Sequence, residues 1–252
     1  HMGLVQDVYQ FLSDTIFIVH TQHTIGYLDK HFAHPKADLL KMNISSQDPI
    51  EKKIIAEAVL NSVQTGWVKN VVQAEHEINL EKLASIDKIL KESKPMVAEG
   101  QLGEPVVEMP SGAKLYKVDD MRPEALLANL KNAFENKALV IDFWATWCAP
   151  CIQEMPYSKK LHEETESLPV EFVYLCTSNN SNIERWKSMV AELGLAGTHI
   201  FVEQSIEDEL MNLFSVSAFP SYVFINKNGE YEPGAISRMS MLSKEKLTDL
   251  IE

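Results

Sequence analysis

Cysteine, basic charge and long apolar runs are all scarce in this sequence. Three cysteines in 252 residues are too few for a disulfide-stapled scaffold. Lys and Arg number 23 against 36 Asp and Glu, a formal net charge of −13. That balance excludes the basic stripe of a nucleic-acid-binding surface and a polybasic membrane anchor. No stretch reaches the roughly 18 consecutive apolar residues of a spanning helix, and no charged-then-apolar leader is present. The opening His1-Met2-Gly3 reads as a cloning remnant before a trimmed start, so the missing leader says nothing about compartment.

What is present is an ordinary globular composition, 45% hydrophobic and 23% charged, in a chain long enough for one large domain or two of roughly 100–150 residues. From Leu4 to about Ser93 the pattern is helical. Leu4, Val8, Phe11, Leu12 and Ile16 recur at three- and four-residue spacing, as one face of an amphipathic helix does. Asp48-Pro49-Ile50-Glu51 is a helix start, with Asp48 as N-cap, Pro49 at the first helical position and Glu51 closing a capping box. That helix runs past Ile55, Val59 and Leu60 to a break near Gly66. Another carries Ile78, Leu83, Ile86, Ile89 and Leu90 and ends before Pro95. Residues 4–94 are therefore expected to form an all-α domain of three to five helices.

Pro95, Gly100, Gly103, Pro105, Pro110 and Gly112 crowd the next 18 residues, and 95–112 reads as a linker lying over its neighbour. Beyond it strands and helices alternate. A short strand Leu115–Val118 precedes a helix over 123–134 and the apolar run Ala138–Phe143. A helix from about Cys148, a strand over 170–175, a helix over 183–193 and a strand over 199–202 follow. A helix over 206–214, a strand over 221–226, an Asn228-Gly229 hairpin turn and a helix over 244–251 complete the pattern. Strands that are apolar throughout, set between helices, predict an α/β domain at 113–252 whose central sheet is covered on both faces. The acidity sits here too: residues 1–100 hold 10 basic and 13 acidic groups, residues 101–252 hold 13 and 23. An acidic surface around a site in this half favours partners that are basic, or at least not strongly acidic.

The densest chemistry lies in Asp142-Phe143-Trp144-Ala145-Thr146-Trp147-Cys148-Ala149-Pro150-Cys151. A strand leads into Cys-x-x-Cys, and Pro150 is tolerated in a helix's first turn, where its missing N–H costs nothing. Two cysteines three apart at a helix start share one side of the turn, so their sulfurs can bond when oxidised. Cys148 meets the free backbone N–H groups and the positive helix pole, which favour thiolate. It is the predicted nucleophile, and Cys151 the resolving thiol.

This segment resembles the thioredoxin superfamily, and Cys148–Pro156 looks like its TlpA/ResA branch of extracytoplasmic thiol–disulfide oxidoreductases. The similarity covers roughly residues 100–252. It implies a C-terminal thioredoxin-like fold, a central mixed sheet with helices on both faces, preceded by the all-α domain. Ser217-Ala218-Phe219-Pro220-Ser221-Tyr222 matches the family loop whose proline is cis, faces the cysteine pair and borders the substrate strand. Phe219 departs from the small or β-branched residue common there. By this resemblance Trp147, Ala149, Pro150, Phe219 and Pro220 form the substrate-docking surface, and Trp144 supports the core. Asp142 matches the buried acid that relays the resolving thiol's proton; the alternative is a strand-end carboxylate at solvent. Glu154 matches the branch's active-site glutamate and exchanges protons with the thiols, unless it is a solvated helix residue. Cys176 reads as an inert buried thiol, and Pro156 as a helix kink.

The resemblance further implies disulfide-containing protein substrates, re-reduction by a membrane thiol donor, and a periplasmic or cell-envelope location with anchoring through a removed N-terminal segment. No cofactor is called for. In the helical half, His20, His23, His31 and His34 make two His-x-x-His pairs. They offer a zinc or copper set only if helices bring them together. No cysteine or clustered carboxylate accompanies them, so no metal is assigned. Tyr27 and Trp67 line a groove or simply pack. An oxidase or isomerase of the same fold, and a partner-binding protein whose helical domain is the functional part, are the competing readings; no Pro-x-x-x-Thr-x-x-Cys segment supports a thiol peroxidase.

Overall fold

The computed structural model of the chain describes residues 2–44, 46, 49–96, 102–232 and 234–252, with the side chains of 2–14, 49 and 232 left aside. The Leu4–Leu12 face and the Asp48 N-cap lie outside the described side chains and residues. Two compact units divide the chain, His1–Ser85 and Ile86–Glu252.

The first unit is built on α1 (Met2–His31), α2 (His34–Lys41), α3 (Pro49–Ser62) and α4 (Gly66–Glu92), whose last turns belong to the second unit. Ile25 of α1, Ile55 and Val59 of α3, Val63, and Val68 and Val72 of α4 form its core. A buried charge cluster ties the same helices together. The ammonium of Lys41, itself inaccessible, lies 2.7 Å from Asp29 Oδ1 and 3.3 Å from Asp38 Oδ1 and donates to the Ser62 carbonyl at 3.1 Å. Asp38 Oδ2 accepts from the backbone N–H groups of Gln64 and Thr65 and from Thr65 Oγ1. Burial alone raises a carboxyl's pKa; here the hydrogen bonds from Thr65, Gln64 and Lys41 overcome it and hold Asp38 at about 2.

The second unit carries a seven-stranded sheet. In chain order its elements are β1 (Glu104–Glu108), β2 (Ala113–Val118), α5 (Pro123–Ala133), β3 (Ala138–Trp144), α6 (Ala149–Glu164), β4 (Val170–Thr177) and α7 (Ile183–Leu193). There follow β5 (Gly197–Val202), α8 (Gln204–Leu213), β6 (Ser221–Ile225), β7 (Tyr231–Glu232), a 3-10 turn at Met239–Met241 and α9 (Lys244–Ile251). The strand order is β1-β2-β5-β4-β3-β6-β7. β2, β5, β4 and β3 run parallel; β1, β6 and β7 are antiparallel to their neighbours.

Every residue of β3 is buried, because successive side chains leave opposite faces of the strand and both faces are covered. Leu139, Ile141 and Phe143 pack with Leu126 and Leu130 of α5 and Ile206 and Leu210 of α8. Val140 and Trp144 pack with Cys151 and Met155 of α6, Trp186 of α7 and Leu247 of α9. Asp142 shares the parity of this second set. The mixed sheet with helices on both faces and the helices that precede it agree with the expected fold class.

Two elements were not foreseen. β1 lies inside the Pro- and Gly-rich stretch read as a linker. Its register slips between Pro105 and Val107, the irregularity that a proline, lacking an amide donor, is allowed on an edge strand. The turn at Met239–Met241 is too short to show periodicity. Glycine is required at Gly197, where φ is +103° and a Cβ would stand 2.8 Å from the Phe172 carbonyl oxygen.

Asp38 contributes stability above the ordinary carboxylate range, and that contribution is lost as pH falls from about 4 through its folded value near 2. Asp38→Asn, which strips the buried Lys41 of a partner, should cost about 3 kcal/mol. Urea unfolding followed by far-UV circular dichroism at pH 7 should show a lower midpoint for the variant and a difference that closes towards pH 2; equal midpoints at pH 7 would contradict the assignment.

Candidate active site

Cys148 is the N-cap of α6, with extended backbone (φ −81°, ψ 90°), and its Sγ accepts the Cys151 N–H at 3.2 Å. Ala149 and Pro150 form the first turn, where a proline leaves no hydrogen bond unmade. Cys148 and Cys151 are joined as a disulfide, Cα atoms 5.3 Å apart. The pair is 4% and 1% exposed, so only the Cys148 end approaches the surface.

Around that end the expected docking residues converge. Trp147 is 43% exposed and its indole N–H donates to the Asn179 carbonyl at 2.7 Å. Its ring meets Phe219 edge-on, centroids 5.8 Å apart, and the Phe219–Pro220 peptide is cis. Trp147, Cys148, Ala149, Pro150 and Phe219 line one cleft of about 570 Å³; Pro220 is not in its lining. Trp144 is fully buried, its Nε1 making no hydrogen bond among the described residues. Two acids answer where the negative charge lies: Asp208 is exposed at the cleft, and Glu207 forms its floor.

Beneath the disulfide lies a polar row across the sheet. Asp142 stands in register with Tyr174 of β4 on one side and Tyr222 of β6 on the other. It is 2% exposed, and its Oδ1 has no hydrogen-bond partner among the described residues. Burial, reinforced by the charge of Glu154, pushes its carboxyl well above the ordinary range. The solvent-facing alternative for Asp142 does not match this placement. Tyr174 bonds Ser158 of α6, oxygens 2.8 Å apart, and stacks on His199 of β5 at 4.5 Å and 14°. Burial drives His199 down to about 3, which keeps it neutral.

Glu154, one turn past Cys151, is buried too. Its carboxylate accepts from Ser240 N at 2.9 Å and Ser240 Oγ at 3.1 Å, and Arg238 Nη1 stands 3.9 Å away. It is not a solvated helix residue. Pro156 lies inside a helix that continues to Glu164. Cys176 is fully buried, and burial first, then the charge of Glu207, raises its thiol pKa well above the ordinary value.

Sequence reading missed Tyr174, His199, Glu207, Tyr222 and Ser240. Glu207 had a visible signal: it falls on the apolar stripe Ile206, Leu210, Met211 of α8, where a carboxylate is 1% exposed and burial raises it to about 8. Tyr174, Tyr222 and His199 are polar side chains at interior positions of apolar strands. Nothing local marks Ser240, because it reaches Glu154 from 86 residues away.

The four histidines stay exposed and do not gather into one site. Among the described residues the ligand atoms that converge are those of Asp29, His34 and Asp38, and the Lys41 ammonium already sits against both carboxylates. Among the described residues no helix is long and apolar enough to cross a membrane.

Comparison with known proteins singles out the same half of the chain. A family model described as Redoxin matches residues 110–231. Thiol-disulfide oxidoreductase ResA of Oceanobacillus iheyensis is 28% identical over 150 residues, covering 50% of this chain and 69% of that protein. ResA of Geobacillus kaustophilus is 28% identical over 120 residues, covering 45% and 66%. The solution structure of a putative thiol-disulfide oxidoreductase from Bacteroides vulgatus is 27% identical, with a TM-score of 0.37, over 44% of this chain and 70% of that one.

Two outcomes follow from burial. With one disulfide closed and Cys176 sealed, a chromogenic disulfide reagent should find no thiol in the native protein, one in denaturant, and three after reduction. A native thiol count near one would contradict the burial of Cys176. Asp142, whose folded pKa is raised, favours the fold fully below its unfolded value and loses that contribution as pH rises towards the folded one. Oxidised Asp142→Asn should therefore exceed wild type in urea midpoint at pH 8, the difference shrinking towards pH 4.

Proposed function

We propose, on the premise that residues 110–231 form a TlpA/ResA-like domain of the thioredoxin superfamily, that this thioredoxin-like oxidoreductase reduces disulfides of extracytoplasmic proteins through Cys148 and Cys151. The observation that carries the reading is the Cys148–Cys151 pair capping α6 at the mouth of an aromatic-walled cleft. An N-cap sulfur that accepts a backbone N–H at the positive end of a helix is stabilised as thiolate once reduced.

The Cys148 thiolate attacks one sulfur of a substrate disulfide, forming a mixed disulfide and expelling the other sulfur as thiolate. Cys151 gives up its proton, its sulfur attacks Cys148 Sγ, and the electron pair of the breaking bond leaves on the second substrate sulfur. The substrate gains two electrons and, with two protons, becomes a dithiol; the Cys148–Cys151 dithiol becomes the disulfide. Asp142 is the base for the Cys151 proton: burial first, then the charge of Glu154, raises its carboxyl pKa, which makes it a stronger base than an exposed carboxylate. Glu154, one turn past Cys151, supports the same exchange. Trp147, Ala149, Pro150, Phe219 and Pro220 receive the substrate chain, and a thiol donor at the membrane restores the dithiol. The relatives' ResA identity supports placing this chemistry in the cell envelope.

Cys151→Ser should hold substrate proteins on Cys148 as mixed disulfides that dissociate on reduction, and Cys148→Ser should hold none. Equilibration in dithiothreitol or glutathione buffers sets the direction. A potential near the oxidising end of the family range, about −120 mV, would overturn the reductase reading in favour of an oxidase of the same fold.

A further inference from the structure

The cleft beside Cys148 is one-sided in charge. Asp208 and Glu207 line it together with Trp147, Cys148 and Phe219, and among the described residues no lysine, arginine or histidine does. Asp208 is exposed. Glu207 is 1% exposed, and its Oε1 makes no hydrogen bond among the described residues. A buried acceptor without a donor costs free energy. One that lines a cleft can be completed by the molecule that enters.

The aromatic wall narrows the kind of donor that fits. Trp147 is 43% exposed, its indole N–H is taken by the Asn179 carbonyl, and its ring meets Phe219 edge-on. Aromatic faces attract ammonium and guanidinium groups, and the methylene stems that carry those groups pack on apolar surface. A neutral donor such as serine would satisfy Glu207 and leave the charge of Asp208 unanswered. A lysine or arginine side chain answers both. Burial holds the Glu207 carboxyl up at about 8, the Thr177 hydroxyl lowering it and the charge of Asp208 raising it; the Cys176 thiol also lies within reach of its charge. A cation arriving in the cleft favours the carboxylate form.

We propose that this cleft selects substrate chains that carry a lysine or arginine next to the disulfide cysteine, the stem of that side chain lying on Trp147 and Phe219 and its cationic head facing Asp208 and Glu207. The inference rests on the oxidoreductase reading above and names the substrate class of that same site. Asp208, at the surface, draws the cation in, and Glu207, on the floor, is the acceptor that the cation completes. Both acids are specificity residues: they choose the chain and take no part in the electron transfer. Their attraction is electrostatic, so the preference weakens as salt screens it.

The symmetrical disulfides of acetyl-Cys-Lys-amide, acetyl-Cys-Gln-amide and acetyl-Cys-Glu-amide differ only in the side chain beside the cysteine. Each is mixed in excess with the reduced full-length protein at pH 8, where Glu207 ionises, and closure of the Cys148–Cys151 disulfide is followed by acid quench and intact mass. Each closure turns one peptide disulfide into two peptide thiols, and the rate of each peptide with dithiothreitol supplies its intrinsic reactivity. Corrected for that reactivity, wild type should favour the lysine peptide over the glutamine peptide about tenfold, with the glutamate peptide slowest, as expected of two partly exposed ion pairs. Asp208→Asn and Glu207→Gln should each lower the lysine-to-glutamine ratio about threefold, and added salt should narrow it. A corrected ratio near one in wild type, or a ratio that either substitution leaves unchanged, would overturn the proposal and leave the oxidoreductase reading standing. Asp208→Asn alters only an exposed side chain, so it decides the matter even if Glu207→Gln unfolds. If no peptide closes the disulfide in wild type, the oxidoreductase reading falls and the proposal with it.

Discussion

Burial of β3 on both faces is the constraint from which the redox unit is organised. A strand covered on one side offers an outlet for polar side chains; β3 has none. Its odd-numbered residues close the layer beneath α5 and α8, and its even-numbered residues lie in the layer that holds the cysteines. Asp142 inherits its dryness from that parity, and a shift of one residue would place it with Leu139 and Ile141 on the face away from the disulfide. The same strand ends at Trp144, and three residues on Trp147 reaches the surface while Thr146 stays buried. Thr146 is fastened to Ser181, hydroxyl oxygens 2.8 Å apart, and Trp147 to Asn179. The loop before Cys148 is thus held by the β4–α7 connection.

Legibility in the sequence followed how local each determinant was. The Cys-x-x-Cys turn and the Asn228-Gly229 turn are set by a few neighbouring residues, and α7 occupies the expected span over 183–193. β1 was not legible because an edge strand with Pro105 and a slipped register carries the same Pro and Gly signature as a connector. The polar row under the disulfide was half legible. Asp142 could be recognised from its motif, but Tyr174, Tyr222 and His199 come together only through strand order, which no single segment encodes. Glu154 was named, while its partner Ser240 was not, since the contact closes across most of the domain.

The acidic balance of the chain gains a more particular meaning. Among the described residues, two carboxylates lie in the lining of the cleft, and they differ in kind. Asp208 is exposed, whereas Glu207 is buried, and burial raises its carboxyl pKa to about 8. The helical unit uses charge in the opposite sense, burying Lys41 with Asp38 beside the partly exposed Asp29 so that the charges compensate each other. A buried ion pair adds little net stability over an apolar packing of the same volume, and what it adds is geometric definition: Lys41 and Asp38 define where α1, α2 and the turn before α4 meet.

The two margins of the sheet carry a consequence of their own. One ends in β1, with glutamates at both ends, a proline and a slipped register; the other ends in β7, two residues long. Free strand margins recruit other extended chains, and short, charged or irregular ones refuse them. An oxidoreductase acting on other protein chains, as proposed above, would otherwise gather them along its flanks. Blunting both margins would leave encounter to the aromatic cleft beside Cys148, the site proposed for exchange, so that binding another chain and exchanging electrons with it would become one event.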